Sequence, residues 1–266
     1  MNRELAFNTA NYAYRQAFYS SEEDWGIACR TSRLYFSPIE TFKERMDDLL
    51  AEIEGLGFKK LELWHFHLNQ KWWTEEHVQV LKDLLAARNM SVFAYCGGFG
   101  DTEEEFLKTC ELVKRLNIRI LAGATPLLFN NRPFLVEKLR EYGLILAYEN
   151  HPEKTPQDVL NKIGDTDADV IGTTIDTGWF GTQNYPAGQA IRELKDRLVH
   201  VHLKDVLRVG THETCAFQDG VVDIADCIEA LKDIGYTGEI SLEHEPHTHN
   251  PNEDIARSKT YAEELL

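Results

Sequence analysis

Short apolar runs alternate along the chain with longer segments in which apolar residues recur every three or four positions. The short runs predict eight β-strands, at residues 5–9, 60–65, 91–96, 119–123, 144–150, 170–176, 198–204 and 239–244. The longer segments predict helices at residues 41–55, 74–89, 103–116, 132–142, 186–194, 223–234 and 252–266, and another that begins after Thr155. Each predicted strand is followed by one predicted helix.

Residues that favour helix ends mark several of these boundaries. Gly55 and Gly143 end two helices, because glycine readily adopts the left-handed backbone of a C-terminal cap. Thr155 is a suitable cap for the helix after the fifth strand, and Pro156 suits its first position. Asp158 adds a negative charge to the first turn of that helix, which favours its start.

The alternation of strands and helices implies parallel strands joined by helical crossovers. Eight such units in 266 residues match the (β/α)8 TIM barrel, which is typically about 250 residues long. We therefore expect residues 1–266 to form a single α/β barrel domain. The alternative is an open doubly wound sheet, but Gly97, Gly98 and Gly100 lack the GxGxxG spacing of a dinucleotide site.

Residues 10–38 form a long connection after the first predicted strand. This segment is rich in aromatic side chains, namely Tyr12, Tyr14, Phe18, Tyr19, Trp25, Tyr35 and Phe36. Long loops in compact domains are usually functional or disordered, and the aromatic content argues against disorder. We expect either a lid or an arm over the barrel mouth, and simple packing fits the pattern equally well.

Composition excludes several classes of protein. The chain has 28 Lys and Arg against 44 Asp and Glu, and its net charge of −16 would repel a nucleic acid over most of the surface. No apolar run reaches the roughly 20 residues that span a bilayer, and the first residues lack a signal-peptide layout. Five scattered cysteines without a CxxC pair indicate reduced thiols. We therefore expect a cytoplasmic protein that binds neither nucleic acid nor membrane.

Polar residues end the last four predicted strands, where TIM barrels carry their chemistry. Glu149, Asp176, His202 and Glu243 could converge there, because adjacent strands lie about 4.8 Å apart. A single acid at a strand end is more often a helix cap or an ion-pair partner. Three acids together need a positive partner to stay ionised. We expect a divalent cation, with Mn²⁺, Mg²⁺ or Co²⁺ better suited than Zn²⁺ to this oxygen-rich set.

Other polar residues near the strand ends are candidates for substrate contacts. His200 and Lys204 share the face of His202, because side chains alternate along a strand. A hydrogen-bonded core position suits His200 equally well. Trp64 and His65 end the second strand, where they would suit either a small polyol or barrel packing.

Three histidines and one acid lie at the end of the last predicted strand and in the loop after it, which is rich in proline and asparagine. They are His244, Glu245, His247 and His249. Their spacing resembles a metal cluster, but we expect solvated loop side chains.

Several short motifs carry a family resemblance. They are Glu149-Asn150-His151-Pro152, Ile175-Asp176-Thr177-Gly178, His200-Val201-His202-Leu203-Lys204-Asp205, Gly220-Val221-Val222-Asp223 and Ser241-Leu242-Glu243. In this order and spacing they resemble the xylose isomerase-like TIM barrel superfamily, and within it the sugar phosphate isomerase/epimerase group. The resemblance runs from the first predicted strand to the last predicted helix.

The resemblance implies roles for individual residues. Glu149, Asp176, His202 and Glu243 match the four metal ligands of the family, and Glu149 and Glu243 match the acid/base pair of its ketose 3-epimerases. Arg208 matches an arginine that those epimerases use on substrate. With the strand-end candidates, the predicted substrate-binding set is His65, His151, Trp179, His200, Lys204 and Arg208.

Two positions depart from the epimerase pattern. Trp179 stands where many members have a histidine three residues after the aspartate, and Thr155 stands where the epimerases carry a glutamate. The related AP endonuclease branch needs further histidine ligands and a basic DNA-binding face, which this sequence lacks.

The implied chemistry is proton abstraction next to a carbonyl, through an enediolate that the metal stabilises. Glu149 and Glu243 would act from opposite sides of the carbon. We expect a metal-dependent isomerase or epimerase of carbohydrate metabolism, acting on a sugar or cyclic polyol, and homo-oligomers are common in this superfamily. The alternative is a dehydratase or lyase acting on a keto-inositol, keto-sugar or keto-glycoside. A sugar-binding barrel without catalysis is a third hypothesis.

Overall fold

The computed structural model describes residues 4–19 and 24–266. Eight parallel strands form a barrel: β1 (Ala6–Asn8), β2 (Lys60–Trp64), β3 (Ser91–Gly98), β4 (Ile120–Ala124), β5 (Ile145–Glu149), β6 (Ile171–Asp176), β7 (Leu198–Leu203) and β10 (Ile240–Leu242). The barrel is closed in the order β1-β10-β7-β6-β5-β4-β3-β2. Two short strands, β8 (Asp205–Val206) and β9 (Thr214–Cys215), form a separate antiparallel pair. The predicted TIM barrel is confirmed.

Helices surround the barrel. They are α1 (Trp25–Phe36), α2 (Ile39–Gly55), α3 (Glu75–Ala87), α4 (Glu103–Arg115), α5 (Leu127–Asn130), α6 (Arg132–Tyr142), α7 (Pro156–Ile163), α8 (Thr177–Thr182), α9 (Ala187–Glu193), α10 (Ile224–Asp233) and α11 (Asn252–Leu265). Every helix predicted from the sequence is present, with bounds within two residues of the prediction.

The predicted helix ends follow from the local chemistry. Thr155 and Asp158 form a reciprocal capping box at the start of α7, and Pro156 occupies the first position. Gly143 ends α6 with a φ of 68°, which lies in the left-handed region that favours glycine. Thr155 caps α7 six residues after Glu149, the last residue of β5.

The segment 10–38 differs from the expected long connection. Its described part begins with two 3-10 turns and continues into helix α1. Ala28, Ser32 and Phe36 are the buried positions of α1. Because Ser32 stands in the middle of the buried face, the apolar periodicity of the helix is hidden in the sequence. The expectation of a long connection is therefore wrong at residues 25–36, which form helix α1. Residues 20–23 lie outside the described residues.

The apolar core lies mainly between the strands and the surrounding helices. The barrel interior holds buried polar side chains instead, including Asn8, Glu62, His200 and Ser241. The five cysteines form no disulfide. Within the part of the chain that the structure describes, no helix is long and apolar enough to cross a membrane.

Candidate metal centre and active site

The carboxyl ends of the barrel strands open into a cavity of about 810 Å³. Its floor contains Glu149, His202, Lys204 and Glu243, and its wall includes residues of the segment that precedes α2. A cavity at this end of a TIM barrel is the usual place for an active site.

The structure brings the predicted ligand set to one point. Glu149 ends β5, Asp176 ends β6, His202 lies in β7, and Glu243 follows β10 directly. One potential ligand atom from each of these residues lies within 4.8 Å of those of the other three. Nδ1 of His202 is 2.7 Å from Oε1 of Glu149 and 2.8 Å from Oε2 of Glu243.

Two oxygens of this group are available to a cation. Among the described residues, Asp176 Oδ2 and Glu243 Oε2 are buried and have no hydrogen bond of acceptable geometry, although each has a nitrogen nearby. The other oxygen of Asp176 accepts a hydrogen bond from the Trp179 N–H at 3.1 Å. The residues present therefore fit a divalent cation with carboxylate and imidazole ligands.

Two asparagine side chains hydrogen-bond to the backbone at the strand ends that carry these acids. The Asn150 side chain accepts a hydrogen bond from the Asp176 N–H and donates one to the Asp176 carbonyl, at 2.9 and 3.1 Å. Asn11 makes the same pair of contacts with the His244 N–H and the Leu242 carbonyl, at 2.8 and 3.2 Å. Each amide thus fixes a strand end next to an acid of the site.

A buried ammonium group completes the cluster. Lys204 Nζ lies 3.1 Å from Asp176 Oδ2, 3.6 Å from Glu243 Oε2 and 2.8 Å from Glu245 Oε2. Gly178 makes room for this side chain, because a Cβ there would lie 2.7 Å from Lys204 Cγ. The side chain of Lys204 is only 2% exposed, so its charge faces the acids rather than water.

Without a cation, the neighbouring acids favour the charged forms of the two basic groups of the cluster. Burial alone would lower the pKa of His202, but Glu243, Glu62 and Glu149 outweigh it and raise that pKa well above its usual range. Burial also opposes the charge of Lys204, yet Asp176 and Glu243 raise its pKa.

The acids respond to burial and to one another. Burial raises the pKa of Asp176 and also raises the pKa of Glu245, to about 8. For Glu243, burial is outweighed by His202 and Lys204, which lower its pKa to about 2. Part of the cluster therefore tends to take up protons when no cation is present, because its acids outnumber its bases.

A model of the xylose isomerase-like TIM barrel family matches residues 50–265. The chain belongs to this family. The inosose dehydratase of Lactiplantibacillus plantarum is 25% identical in an alignment of 289 positions, gaps included, that covers 91% of this chain and 96% of that protein. The uncharacterized protein MJ1311 of Methanocaldococcus jannaschii is 29% identical over 147 residues, which cover 52% of this chain and 48% of that protein.

Solved structures of other proteins share the barrel fold. A D-tagatose 3-epimerase-like protein superposes with a TM-score of 0.67 at 21% identity, over 82% of this chain and 91% of that chain. The probable 3-DHS dehydratase AsbF from Bacillus anthracis superposes with a TM-score of 0.65 at 13% identity, over 97% of both chains. At these identities the likeness shows the fold alone.

Four of the predicted substrate-binding residues line the cavity of this family member. They are His65, His151, Trp179 and Lys204. Trp179 stacks on His212 with ring centroids 4.1 Å apart and lies 5.5 Å from the ring of His151. Together these rings form one side of the cavity beside Glu149.

The other two predicted substrate contacts lie elsewhere. The side chain of Arg208 is 68% exposed, pairs with Glu213 at 2.8 Å, and does not line the cavity. The β8–β9 hairpin carries Arg208 towards solvent. His200 is fully buried below the metal ligands, where it contacts Glu62 and the ring of Phe93.

The loop after β10 is less solvated than its sequence predicts. His244 is 1% exposed and contacts Thr214 and Asp254, at 3.0 and 3.1 Å. His249 is exposed and also contacts Asp254, at 2.8 Å. Arg257 lies 3.3 Å from the other oxygen of Asp254 and supplies a positive charge to this group. The expectation of solvated side chains is therefore wrong for His244, which is buried and hydrogen-bonded, and for Glu245, whose side chain is 8% exposed and pairs with Lys204.

Sequence reasoning missed four residues of the site. These are Asn8, Glu62, His212 and Glu245 as a partner of Lys204. The inward position of Glu62 between Leu61 and Leu63 is the one signal that the sequence offers, because an acid on the inner face of a barrel strand is unusual.

Proposed function

We propose that this protein is a divalent-metal-dependent isomerase or epimerase that removes a proton next to the carbonyl of a sugar or cyclic polyol and returns it. The observation that carries the proposal is the meeting of Glu149 and Glu243 at His202, with oxygens 2.7 and 2.8 Å from its Nδ1. Paired carboxylates in a closed cavity suit proton removal and proton return.

The chain's own groups supply the proton transfers. Glu149 would take the proton from the carbon, and Glu243 would return one from the other side. Asn8 donates a hydrogen bond to Oε1 of Glu243 at 3.2 Å, while Oε2 of that residue lies 2.8 Å from Nδ1 of His202. A bound divalent cation would supply stabilisation of the negative charge that develops on the substrate oxygens.

The donor set favours particular metals. Three carboxylates and one imidazole form an oxygen-rich set, which suits Mn²⁺, Mg²⁺ or Co²⁺ better than Zn²⁺. Glu149, Asp176, His202 and Glu243 would hold the ion. His65, His151 and Trp179 would contact the substrate from the cavity wall.

A second candidate is a dehydratase that acts on a keto-inositol or keto-sugar. Two observations favour it: the inosose dehydratase relatives align along most of the chain, and a buried ammonium group stands beside the acids. After proton removal, the carbon–oxygen bond of a β-hydroxyl would break, and the leaving oxygen would take a proton to form water. In this reaction Lys204 would hydrogen-bond the leaving oxygen.

Solvent exchange separates these reactions. Protein loaded with Mn²⁺ is incubated in D₂O with a panel of ketoses and with scyllo-inosose, and the products are analysed by NMR and mass spectrometry. Deuterium in a recovered or isomerised ketose supports the isomerase or epimerase. A product that has lost one water supports the dehydratase. Binding without exchange or water loss for any compound contradicts both reactions and favours a sugar-binding protein.

A further inference from the structure

We propose that Glu62 is a positioning residue that orients His202 and fixes its tautomer for metal binding. This inference rests on the metal centre proposed above and adds a residue outside the predicted ligand set. Glu62 reaches the histidine from below the cluster, on the side that faces away from the substrate cavity.

The two nitrogens of the His202 ring face opposite sets of acids. Nδ1 points to Glu149 and Glu243, where the cation would lie. Nε2 lies 3.0 Å from Oε1 and 2.9 Å from Oε2 of Glu62. A carboxylate in this position accepts the Nε2–H hydrogen bond and leaves the Nδ1 lone pair free for the metal.

The carboxylate of Glu62 lies in the protein interior and forms its ion pairs with two buried histidines. Both Glu62 and His200 are fully buried, and His202 is 1% exposed. The second contact of Glu62 is to Nε2 of His200, which lies 3.0 Å from Oε2. The carboxylate therefore bridges two histidines of β7 and anchors both rings inside the barrel.

Barrel closure brings Glu62 to this position. β2 and β7 are separated around the barrel by β1 and β10, so the Glu62 side chain crosses the interior to reach His202. In register, Glu62 pairs with Asn8 of β1, and Asn8 hydrogen-bonds the Glu243 side chain. Two neighbouring residues at one level of the barrel thus support two different members of the ligand set.

Substitution of Glu62 by glutamine tests this role. The amide keeps the size of the side chain but presents an N–H₂ group that can donate to Nε2 of His202. When the amide donates, the ring carries its proton on Nδ1, which blocks the metal; when its carbonyl accepts, the neutral amide holds the Nε2 proton less strongly than the carboxylate does. We expect Mn²⁺ and Co²⁺ affinity, measured by calorimetry on chelator-treated protein, to fall about 10- to 100-fold in Glu62→Gln. The visible absorption spectrum of bound Co²⁺ should change in the same variant.

Two control variants separate positioning from general stability. Glu153→Gln makes the same substitution at a buried acid outside the metal centre, and it should leave Mn²⁺ affinity within about threefold of wild type. His200→Gln removes the other partner of Glu62 while Glu62 can still accept from His202. It should lower the midpoint of thermal unfolding with a smaller loss of metal affinity than Glu62→Gln.

The outcomes distinguish this inference from the metal centre itself. Failure of the wild-type protein to bind Mn²⁺ or Co²⁺ overturns both. Wild-type binding that Glu62→Gln leaves unchanged, or that falls equally in Glu62→Gln and His200→Gln, overturns the positioning role alone.

A measurement without a variant covers the case in which Glu62→Gln does not fold. In ¹⁵N-labelled wild-type protein loaded with diamagnetic Zn²⁺, His202 should show a protonated Nε2 and a metal-bound Nδ1. Metal bound at Nε2 would overturn the positioning role.

Discussion

Two sites with buried acids lie near the end of β5, namely Glu153 with its partners and the metal centre. They differ in how completely their carboxylate oxygens are hydrogen-bonded. Glu153 is 3% exposed. One of its oxygens contacts the Tyr148 hydroxyl, at 2.9 Å, and the Lys162 ammonium. Its other oxygen accepts a hydrogen bond from the His151 N–H at 2.7 Å. Every oxygen of this paired acid therefore has a partner within the protein.

In the metal centre the acids outnumber the bases. His202 and Lys204 together contact the carboxyl groups of Glu62, Glu149, Asp176, Glu243 and Glu245. Two oxygens, on Asp176 and Glu243, keep no hydrogen bond of acceptable geometry among the described residues. A fully paired acid stabilises the fold, whereas an excess of buried acid is costly unless a further cation enters.

The largest expected contrast between the two sites is in catalysis. Glu149→Gln and Glu243→Gln should each lower solvent deuterium exchange by about 10²–10⁴-fold, because an amide cannot accept the proton. Glu153→Gln should keep exchange within about tenfold of wild type. Exchange is measured by NMR in D₂O, with the bound metal determined for each variant. Full activity in Glu149→Gln or Glu243→Gln would show that the acid/base assignment is wrong.

Of the two sites, Glu153 with its partners should contribute more to the stability of the fold. Glu153→Gln removes a buried charged hydrogen-bond acceptor and should destabilise the fold by about 1–3 kcal/mol at pH 7, measured by urea unfolding. Burial alone would raise the pKa of Glu153, but the Lys162 ammonium and the His151 N–H lower it overall.

This depressed pKa fixes the pH dependence of the stability difference. Because the pKa of Glu153 is lower in the folded state, its contribution is present above the unfolded pKa of about 4.3 and is lost as pH falls through the folded value. The difference between wild type and Glu153→Gln should therefore shrink below about pH 4. A difference that stays constant down to pH 3 would contradict the pairing of Glu153.

A glutamate-to-glutamine substitution in the metal centre should not lower the stability of the fold. Burial raises the pKa of Glu245 to about 8, so Glu245→Gln removes little charge at pH 7, and the Gln carbonyl can still accept from Lys204. In metal-free protein we expect stability unchanged or higher by about 1 kcal/mol. A loss as large as that of Glu153→Gln would mean that the acids of the metal centre are already balanced.

Arg208 gives the smallest expected effect. Its side chain is exposed and its ion pair with Glu213 lies at the surface. Arg208→Ala should change stability by no more than about 0.5 kcal/mol and exchange activity by less than about threefold. A large loss of substrate affinity would show that the hairpin that carries Arg208 moves over the cavity in the complex.

Much of the fold could be predicted from local patterns. Alternating apolar runs and amphipathic segments gave the eight barrel strands, because side-chain periodicity depends on neighbours along the chain. The cap at Thr155 and the stop at Gly143 are equally local. Helix α1 was missed because Ser32 interrupts its apolar stripe.

The site could be predicted only where strand ends carry its chemistry. Each of the four ligands, Glu149, Asp176, His202 and Glu243, lies within one residue of the end of a strand, so a barrel alone implies their approach. Glu62 contacts His202 across the barrel interior, and no local pattern encodes that distance. Arg208 lies in the loop between β8 and β9, and no strand-end pattern predicts the pairing of these two short strands.

Calorimetric titration of Mn²⁺ into chelator-treated protein tests the metal centre most directly. Asp176→Asn is the matched variant, since asparagine can still cap α8 through its carbonyl oxygen but has no second carboxylate oxygen to offer. We predict one Mn²⁺ per chain for the wild type and at least about tenfold weaker binding for Asp176→Asn. No binding to the wild type, or equal binding to both proteins, would contradict a cation held by these strand-end acids.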